Sequence, residues 1–219
     1  DPRMSITLYP PTTAGLSAEE LLAWRTVPVS VAVDMEPAAQ VDPALRAVTR
    51  PDLPLALIGP ALTIACTPPD FGAVVKALDE ARPGQVVVID AGGHLNHAVI
   101  GEILGGHLRA KGCAGLVVDG AVRDIAELGS WSDFPVFARS INPRGPTSAQ
   151  HGAINAAVTL GGVSVEFGDL IIGDRDGLAV LSPKVARRLL ADAQAKLTLE
   201  AEWIEGLASG QSAAEIFGV

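Results

Sequence analysis

Residues 112–124, Gly-Cys-Ala-Gly-Leu-Val-Val-Asp-Gly-Ala-Val-Arg-Asp, restrict the folds open to this chain more than any other stretch. Leu116, Val117 and Val118 form a short apolar run between glycines, the pattern of a buried strand. Asp119-Gly120 is a turn dipeptide, which predicts that the strand ends there. The chain then delivers Arg123 and Asp124 side by side at the C-terminal end of that strand. In open α/β sheets ligands collect at that end. A guanidinium suits a carboxylate or carbonyl, and a carboxylate is a hard donor for a metal. An ion pair that merely closes a strand-to-helix loop would leave the same trace.

Around this stretch strands and helices alternate. Leu55–Ala65 reads as a strand interrupted at Gly59-Pro60, and Pro69-Asp70 opens a helix with Val74, Val75 and Leu78 on one face. Pro83-Gly84 stops that helix, and Val86–Ile89 is a fully apolar strand ended by the glycine turn Asp90-Ala91-Gly92-Gly93. A helix from about Ala98 or Gly101 to Lys111 follows, with Ile103, Leu104 and Leu108 inward. Ile125–Leu128 reads as a short helix and Phe134–Phe137 as another strand. This order is that of an α/β sheet. Val158–Val165, Leu170–Ile172 and Leu178–Leu181 then read as a meander of short strands with tight turns.

Ser182-Pro183 suits an N-cap and first helical position. It predicts a helix to about Leu207 with Val185, Leu189, Leu190, Ala193 and Leu197 on one stripe. At the other end, residues 1–16 read as an irregular arm, extended around Pro10-Pro11 and Thr12-Thr13. Ser17-Ala18-Glu19-Glu20 caps a helix carrying Leu21, Leu22 and Trp24. Val27–Val33 reads as an edge strand because of Pro28, and residues 34–54 as a proline-rich loop with at most one helical turn. Without a repeat, low-complexity tract or linker, one domain is expected over residues 1–219, with a protruding C-terminal helix.

A formal net charge of −9 argues against nucleic acid, whose phosphates need clustered Lys and Arg. No window approaches the ~18 uninterrupted apolar residues of a membrane span. Asp1-Pro2-Arg3-Met4 has no apolar signal core, so a cytoplasmic protein is expected. Cys66 and Cys113 lie far apart in apolar surroundings and read as core residues, neither a disulfide framework nor a zinc pair.

Four groups could carry chemistry. Glu102 and Asp124 stand at the ends of two successive β-α loops, which a parallel sheet brings to one edge, as a magnesium site of one carboxylate and several waters would need. Gly92-Gly93 and the helix start at Gly101-Glu102-Ile103-Leu104 could offer backbone N–H groups to a carboxylate. His94 and His97 are three apart, but in a glycine loop without an evident third ligand; His107 and His151 have no nucleophile nearby. Glu200, Glu202 and Glu205 lie on the last turns of the long helix, either as a solvated face or as acids offered to a neighbouring subunit.

Gly101-Glu102-Ile103-Leu104 and Asp119-Gly120-Ala121-Val122-Arg123-Asp124 are followed in order by Pro135-Val136-Phe137-Ala138-Arg139, Pro143-Arg144-Gly145, Gly161-Gly162-Val163 and Gly168–Asp174. Together these blocks resemble the 4-hydroxy-4-methyl-2-oxoglutarate / 4-carboxy-4-hydroxy-2-oxoadipate aldolases, which belong with the regulator of ribonuclease activity A-like proteins. The resemblance covers residues 55–183 well and the C-terminal helix loosely. It implies an α-β-β-α sandwich, a homotrimer or a hexamer of two trimers, and sites between subunits. By resemblance, Asp124 holds a divalent metal, Mg2+ or Mn2+, and Arg123 binds the pyruvate part of a 2-oxo acid. The amides of Ile103 and Leu104, just after Gly101, hold its carboxylate. Glu102 and a glutamate from a neighbour's C-terminal helix, Glu200 with Glu202 as rival, bind a water on the metal. Where the family often has Ser-Asp-Ala-Leu, this chain has Ser30-Val31-Ala32-Val33.

The residue types agree with that chemistry. Breaking the C–C bond of a 4-hydroxy-2-oxo acid leaves its electrons on a pyruvate enolate, and a metal with a nearby guanidinium stabilises that charge. Loss of carbon dioxide from oxaloacetate gives the same enolate, so decarboxylation is expected alongside aldol cleavage. No lysine lies in the motifs, which disfavours a Schiff base; Lys111 ends a helix one loop earlier. The alternatives are a non-catalytic regulator that binds ribonuclease E, and an enzyme for another 2-oxo or hydroxy acid on this scaffold. Regulators tend to lack the metal-binding aspartate.

Overall fold

The computed structural model describes residues 5–12 and 15–219. Asp1–Met4, on which the expectation about a leader rests, and Thr13 of the expected arm lie outside them. Where an irregular arm was expected, Ser5–Leu8 is a strand, β1. Helix α1 (Ala18–Trp24) starts at Ser17 with the expected capping box, closed by Glu20. The edge strand expected at Val27–Val33 is instead helix α2 (Val29–Met35). Pro28 is its N-cap, in extended conformation, and the amide of Val29 is satisfied by Asp174 Oδ2 at 2.9 Å. Val29, Val31 and Ala32 are buried, so tertiary packing overrides the β-branched composition. The stretch expected as a loop holds a 3-10 turn at Pro37–Ala39 and a two-residue strand, β2 (Arg46–Ala47).

Strand β3 (Leu57–Ala65) runs unbroken through Gly59-Pro60, against expectation. It leads to α3 (Gly72–Glu80), β4 (Val86–Ile100), α4 (Glu102–Ala110), β5 (Gly115–Val122), α5 (Ile125–Leu128) and β6 (Val136–Ile141). Strands β3 to β6 pair in parallel in that order, with β2 against the far side of β6. Then come β7 (His151–Ile154), the hairpin β8 (Val158–Leu160) and β9 (Val163–Val165), and the pair β10 (Leu170–Gly173) and β11 (Leu178–Leu181). Strands β7 and β1 extend the sheet beyond β3, with Ser5 opposite His151. Pro60 marks a change of partner: residues 57–60 pair with β10 and residues 61–65 with β4. A proline without an N–H suits the point where a strand leaves one ladder for another.

Two expected turns are also strand. β4 continues through Gly92-Gly93 with three register shifts along β5, and β5 continues through Asp119-Gly120. Asp119 can stay inside the strand because its carboxylate accepts from Arg139 Nε at 2.6 Å and from the amide of Gly161 at 2.7 Å. Arg139 also reaches Asp42 at 2.8 Å, tying β6 to the loop before β2.

The layers are α-β-β-α, as expected. Helices α3, α4 and α5 cover one face of the parallel strands through Val74, Ala77, Leu108 and Leu128. On the other face Val86, Val88, Val117 and Phe137 meet Leu160, Val165, Ile171 and Val180 of the later strands. The outer side of β10 and β11 is covered by α1, α2 and the long helix α6 (Pro183–Ala208), through Trp24, Ala186, Leu189 and Ala193. Each large apolar side chain so buried contributes about 1.5–3 kcal/mol. Ser182 caps α6 as expected, and an unforeseen short helix, α7 (Ala213–Phe217), folds back on its end.

One buried carboxylate fastens the sheet's outer strands to α3. Asp70 accepts from the amides of Gly72 and His151 on Oδ1, and from Ser148 Oγ and the Gln150 amide on Oδ2. Burial alone would raise its pKa, but these four bonds outweigh it and hold the group at about 2.

Candidate active site

The C-terminal ends of β4 and β5 lie side by side, Ile100 opposite Val122. The loops after the two ends therefore meet, as a parallel sheet requires, but it is the backbone of Glu102, an exposed residue outside the cleft's lining, that comes to Asp124. Asp124 has φ 59° and ψ 41°, a left-handed conformation that aspartate tolerates better than most residues. It stands at the N-cap of α5, yet its side chain makes no bond to that helix. The carboxylate turns instead to α4, where Oδ2 accepts the amide of Glu102 at 3.0 Å. A strained cap thus joins two helix starts, and such strain of ~1–3 kcal/mol tends to be kept at functional sites.

Arg123 Nε lies 3.8 Å from the same Oδ2, and both side chains remain about 40% exposed, at 43% and 39%. Two glycines make room for this pair. A Cβ on Gly101 would lie 2.2 Å from Asp124 Oδ2, and one on Gly145 would lie 2.6 Å from Arg123 Nη1. The guanidinium is therefore laid against the Gly145 backbone. Gly145 belongs to a motif visible in the sequence, but its part in seating Arg123 needed the fold.

These groups border a cleft of about 210 Å³ between the first turns of α3 and α4. Gly101, Ile103, Leu104, Arg123 and Asp124 line it, and Phe71, Val75, Val99, Ile100 and Pro146 complete the wall. The first turn of a helix leaves amides without intrahelical acceptors. In α4 the amide of Glu102 goes to Asp124 and that of Gly105 to the Gly101 carbonyl, with Ile103 and Leu104 between them at the cleft. Ile103 is 77% exposed, so the inward position expected for it is wrong: it stands at the mouth, and Leu108 alone of the three is buried.

Other candidates are elsewhere. Gly92 and Gly93 sit in the bulged part of β4, where the Gly92 amide is taken by Asp90 Oδ1 at 2.8 Å and Gly93 lies near Arg139, so they do not join the α4 start as one cradle. His94 Nε2 and His97 Nδ1 are 3.0 Å apart and share a hydrogen bond. Burial, His94 and Arg144 together lower the His97 pKa. His107 is in α4 and His151 on β7, neither lining the cleft. Cys66 and Cys113 are buried; burial, with Asp90 and Asp70 nearby, pushes the Cys66 thiol up to about 12, and burial raises Cys113. Neither is a ready nucleophile.

Glu200 is not brought to Asp124 within the chain. It lies on α6, 4.0 Å from Lys196, which also pairs with Asp34 in the last turn of α2. Glu202 and Glu205 are exposed on the same helix. Near them Ile204, Leu207 and Phe217 are exposed apolar side chains. No helix among the described residues is long and apolar enough to cross a membrane.

Comparison with known proteins gives one family. The family model described as "RraA-like: Aldolase/RraA" matches residues 29–180. A protein of Halalkalibacterium halodurans named "Putative 4-hydroxy-4-methyl-2-oxoglutarate aldolase" is 39% identical over 140 residues, which span 64% of this chain and 66% of that one. The solved structure of the RNA-processing inhibitor RraA from Thermus thermophilis is 30% identical with a TM-score of 0.62, over 71% of this chain and 92% of that one. An uncharacterized protein from Pseudomonas syringae pv. tomato shares the fold over 93% of this chain and 99% of its own, with a TM-score of 0.79 at 23% identity.

Proposed function

The chain belongs to the RraA-like family, and from that premise we propose that it is a carbon–carbon lyase that cleaves 4-hydroxy-2-oxo acids to pyruvate with a divalent cation. The type substrate is 4-hydroxy-4-methyl-2-oxoglutarate, and oxaloacetate decarboxylation is the expected second activity. The observation that carries this reading is the 3.0 Å bond from the Glu102 amide to Asp124, which puts a carboxylate, a guanidinium and a helix start around one cleft.

The donor set fits a hard, hydrated ion. Asp124 is partly exposed and offers only oxygen, and no cluster of three or more His, Cys, Asp or Glu that could hold a metal exists among the described residues. Magnesium, with manganese as substitute, is bound through one or two carboxylates while keeping several waters. When bound, such a cation would supply Lewis acidity to the 2-oxo group of the substrate.

The chain's own residues are assigned as follows. Arg123 pairs with the oxo-acid end and balances the negative charge that grows there. The amides of Ile103 and Leu104 hold the substrate carboxylate at the positive end of α4. Glu102 draws the proton from the 4-hydroxyl through an intervening water. The C3–C4 bond breaks, its electron pair becomes the C2–C3 double bond of the enolate, and C4 becomes the carbonyl of the second product. Protonation at C3 then gives pyruvate. Glu200 of a neighbouring subunit completes the site in a homotrimer or hexamer. Support for that assembly comes from the exposed apolar residues at the end of α6, from Ile103 at the cleft's edge and from Ile125 at the start of α5.

The test is pyruvate release with magnesium, after chelation, and after metal is restored. Asp124→Asn should abolish it, and an unchanged rate would remove Asp124 as the ligand. The second reading, a non-catalytic regulator binding ribonuclease E, draws on the likeness to an RNA-processing inhibitor, and it predicts no turnover with any metal.

A further inference from the structure

The seat of Arg123 is held by a side chain outside the cleft's lining. Pro143-Arg144-Gly145 follows β6 closely, and Gly145 lies against the Arg123 guanidinium: a Cβ there would stand 2.6 Å from Nη1 and 3.2 Å from Cζ. Asn142 fixes that approach. Its amide donates to the Val122 carbonyl at 3.0 Å, just beyond the end of β6. Its side chain then works in two directions. Oδ1 accepts the Arg144 amide at 2.9 Å, an Asx turn, and Nδ2 donates to the Leu95 carbonyl of β4 at 2.9 Å. The Arg144 carbonyl accepts the Ala98 amide at 2.7 Å, so both backbone groups of Arg144 are held and Gly145 is placed by the residue before it. Pro69 takes up the chain again, accepting the Thr147 amide at 2.9 Å and leaving Pro146 in the cleft's wall.

We propose that Asn142 is the positioning residue for Arg123: it clips the loop of residues 142–146 to β4 and so fixes where the guanidinium stands. Asp124 is the weaker anchor. Its Oδ2 is 3.8 Å from Arg123 Nε, beyond hydrogen-bond length, and both side chains are well exposed, where an ion pair holds little. The packing against Gly145 is closer, and it lasts only while the loop stays in place. A guanidinium must match a carboxylate in direction as well as distance to bind it with two parallel bonds. Releasing the loop therefore weakens capture of the oxo-acid end. That consequence rests on the proposed lyase reading; the placement of Arg123 does not.

The experiment uses Asn142→Ala and Asn142→Asp in the full chain, with two readouts. The first is the rate at which phenylglyoxal labels Arg123, mapped by peptide mass spectrometry, with Arg50, 56% exposed and paired with Asp52, as internal reference. Asn142→Ala should label Arg123 at least about threefold faster at an unchanged Arg50 rate, the low end of what losing one hydrogen bond does to a local equilibrium. Asn142→Asp keeps the acceptor for the Arg144 amide and lacks the donor to Leu95, so it should fall between parent and alanine variant. With the turn kept, it also remains the test if the alanine variant does not fold. The second readout is pyruvate release with magnesium: KM should rise about tenfold while kcat falls no more than about threefold, the split expected when substrate binding is lost. An unchanged Arg123 labelling rate in both variants overturns the placement. Faster labelling with KM unchanged, whether or not kcat falls, overturns the role in binding. No pyruvate from the parent with any metal overturns the lyase reading, and the labelling rates then still decide whether Asn142 places Arg123.

Discussion

Gly101→Ala is the sharpest test of how the site is assembled. Gly101 has φ −147° and ψ −155°, extended backbone that alanine adopts freely. By itself the exchange would stabilise the protein by ~0.4–1 kcal/mol, because alanine has fewer unfolded conformations to lose. The new methyl, however, would lie 2.2 Å from Asp124 Oδ2 and 2.9 Å from Arg123 Cγ. Carbon and oxygen settle no closer than about 3.3 Å, so the carboxylate must withdraw by roughly 1 Å. That breaks its bond to the Glu102 amide, which as a helix cap contributes ~0.5–2 kcal/mol. With the overlap itself, the net effect is a loss of about 1–2 kcal/mol, or roughly 3–6 °C in Tm for a chain of this size. Displacing the carboxylate by ~1 Å should also lower kcat/KM for pyruvate release about 100-fold. Thermal denaturation and the pyruvate assay on the same preparation read both numbers. A variant that melts higher than the parent and keeps its rate would refute the reasoning, since the methyl would then have found room without moving Asp124.

The other outcomes follow from the same contacts. Asp70→Asn should cost about 2 kcal/mol at pH 7, because a carboxyl held at about 2 instead of 3.8 stabilises by ~1.4 kcal/mol per tenfold in proton affinity. That stability is complete above pH ~4 and is lost as pH falls through about 2, so the urea midpoints of parent and variant should converge in acid; a gap that does not change with pH would count against the four-bond account. Mixing Arg123→Ala chains with Glu200→Ala chains should recover part of the pyruvate release that each lacks alone, if the two residues come from different subunits. A mixed oligomer with no recovery would place Glu200 outside the site.

Legibility followed distance along the chain. The parallel strands and the helix caps at Ser17 and Ser182 were legible because apolar runs and capping side chains act within a few residues. The misread segments each depend on a remote partner. Val27–Val33 is helical because its apolar face meets α6 and β11 and Asp174 caps it from another loop. Asp119-Gly120 stays in the strand because Arg139, 20 residues on, neutralises the carboxylate. Pro60 does not break β3, because the strand needs to change partner there.

The site divides in the same way. The half built from motifs was legible since Arg123-Asp124 and Gly101–Leu104 are contiguous stretches at the ends of neighbouring parallel strands, and parallel pairing alone brings those ends together. What the motifs could not state is the orientation of Asp124: a carboxylate at an N-cap is expected to cap its own helix, and only the left-handed φ sends it across to α4. The distal wall was not legible at all, because Phe71, Val75, Val99 and Pro146 come from separate segments and each alone is an ordinary apolar residue. The two halves of the cleft are therefore encoded differently here. The first needs a few invariant-geometry groups on two adjoining loops; the second needs only that one turn of α3 face them.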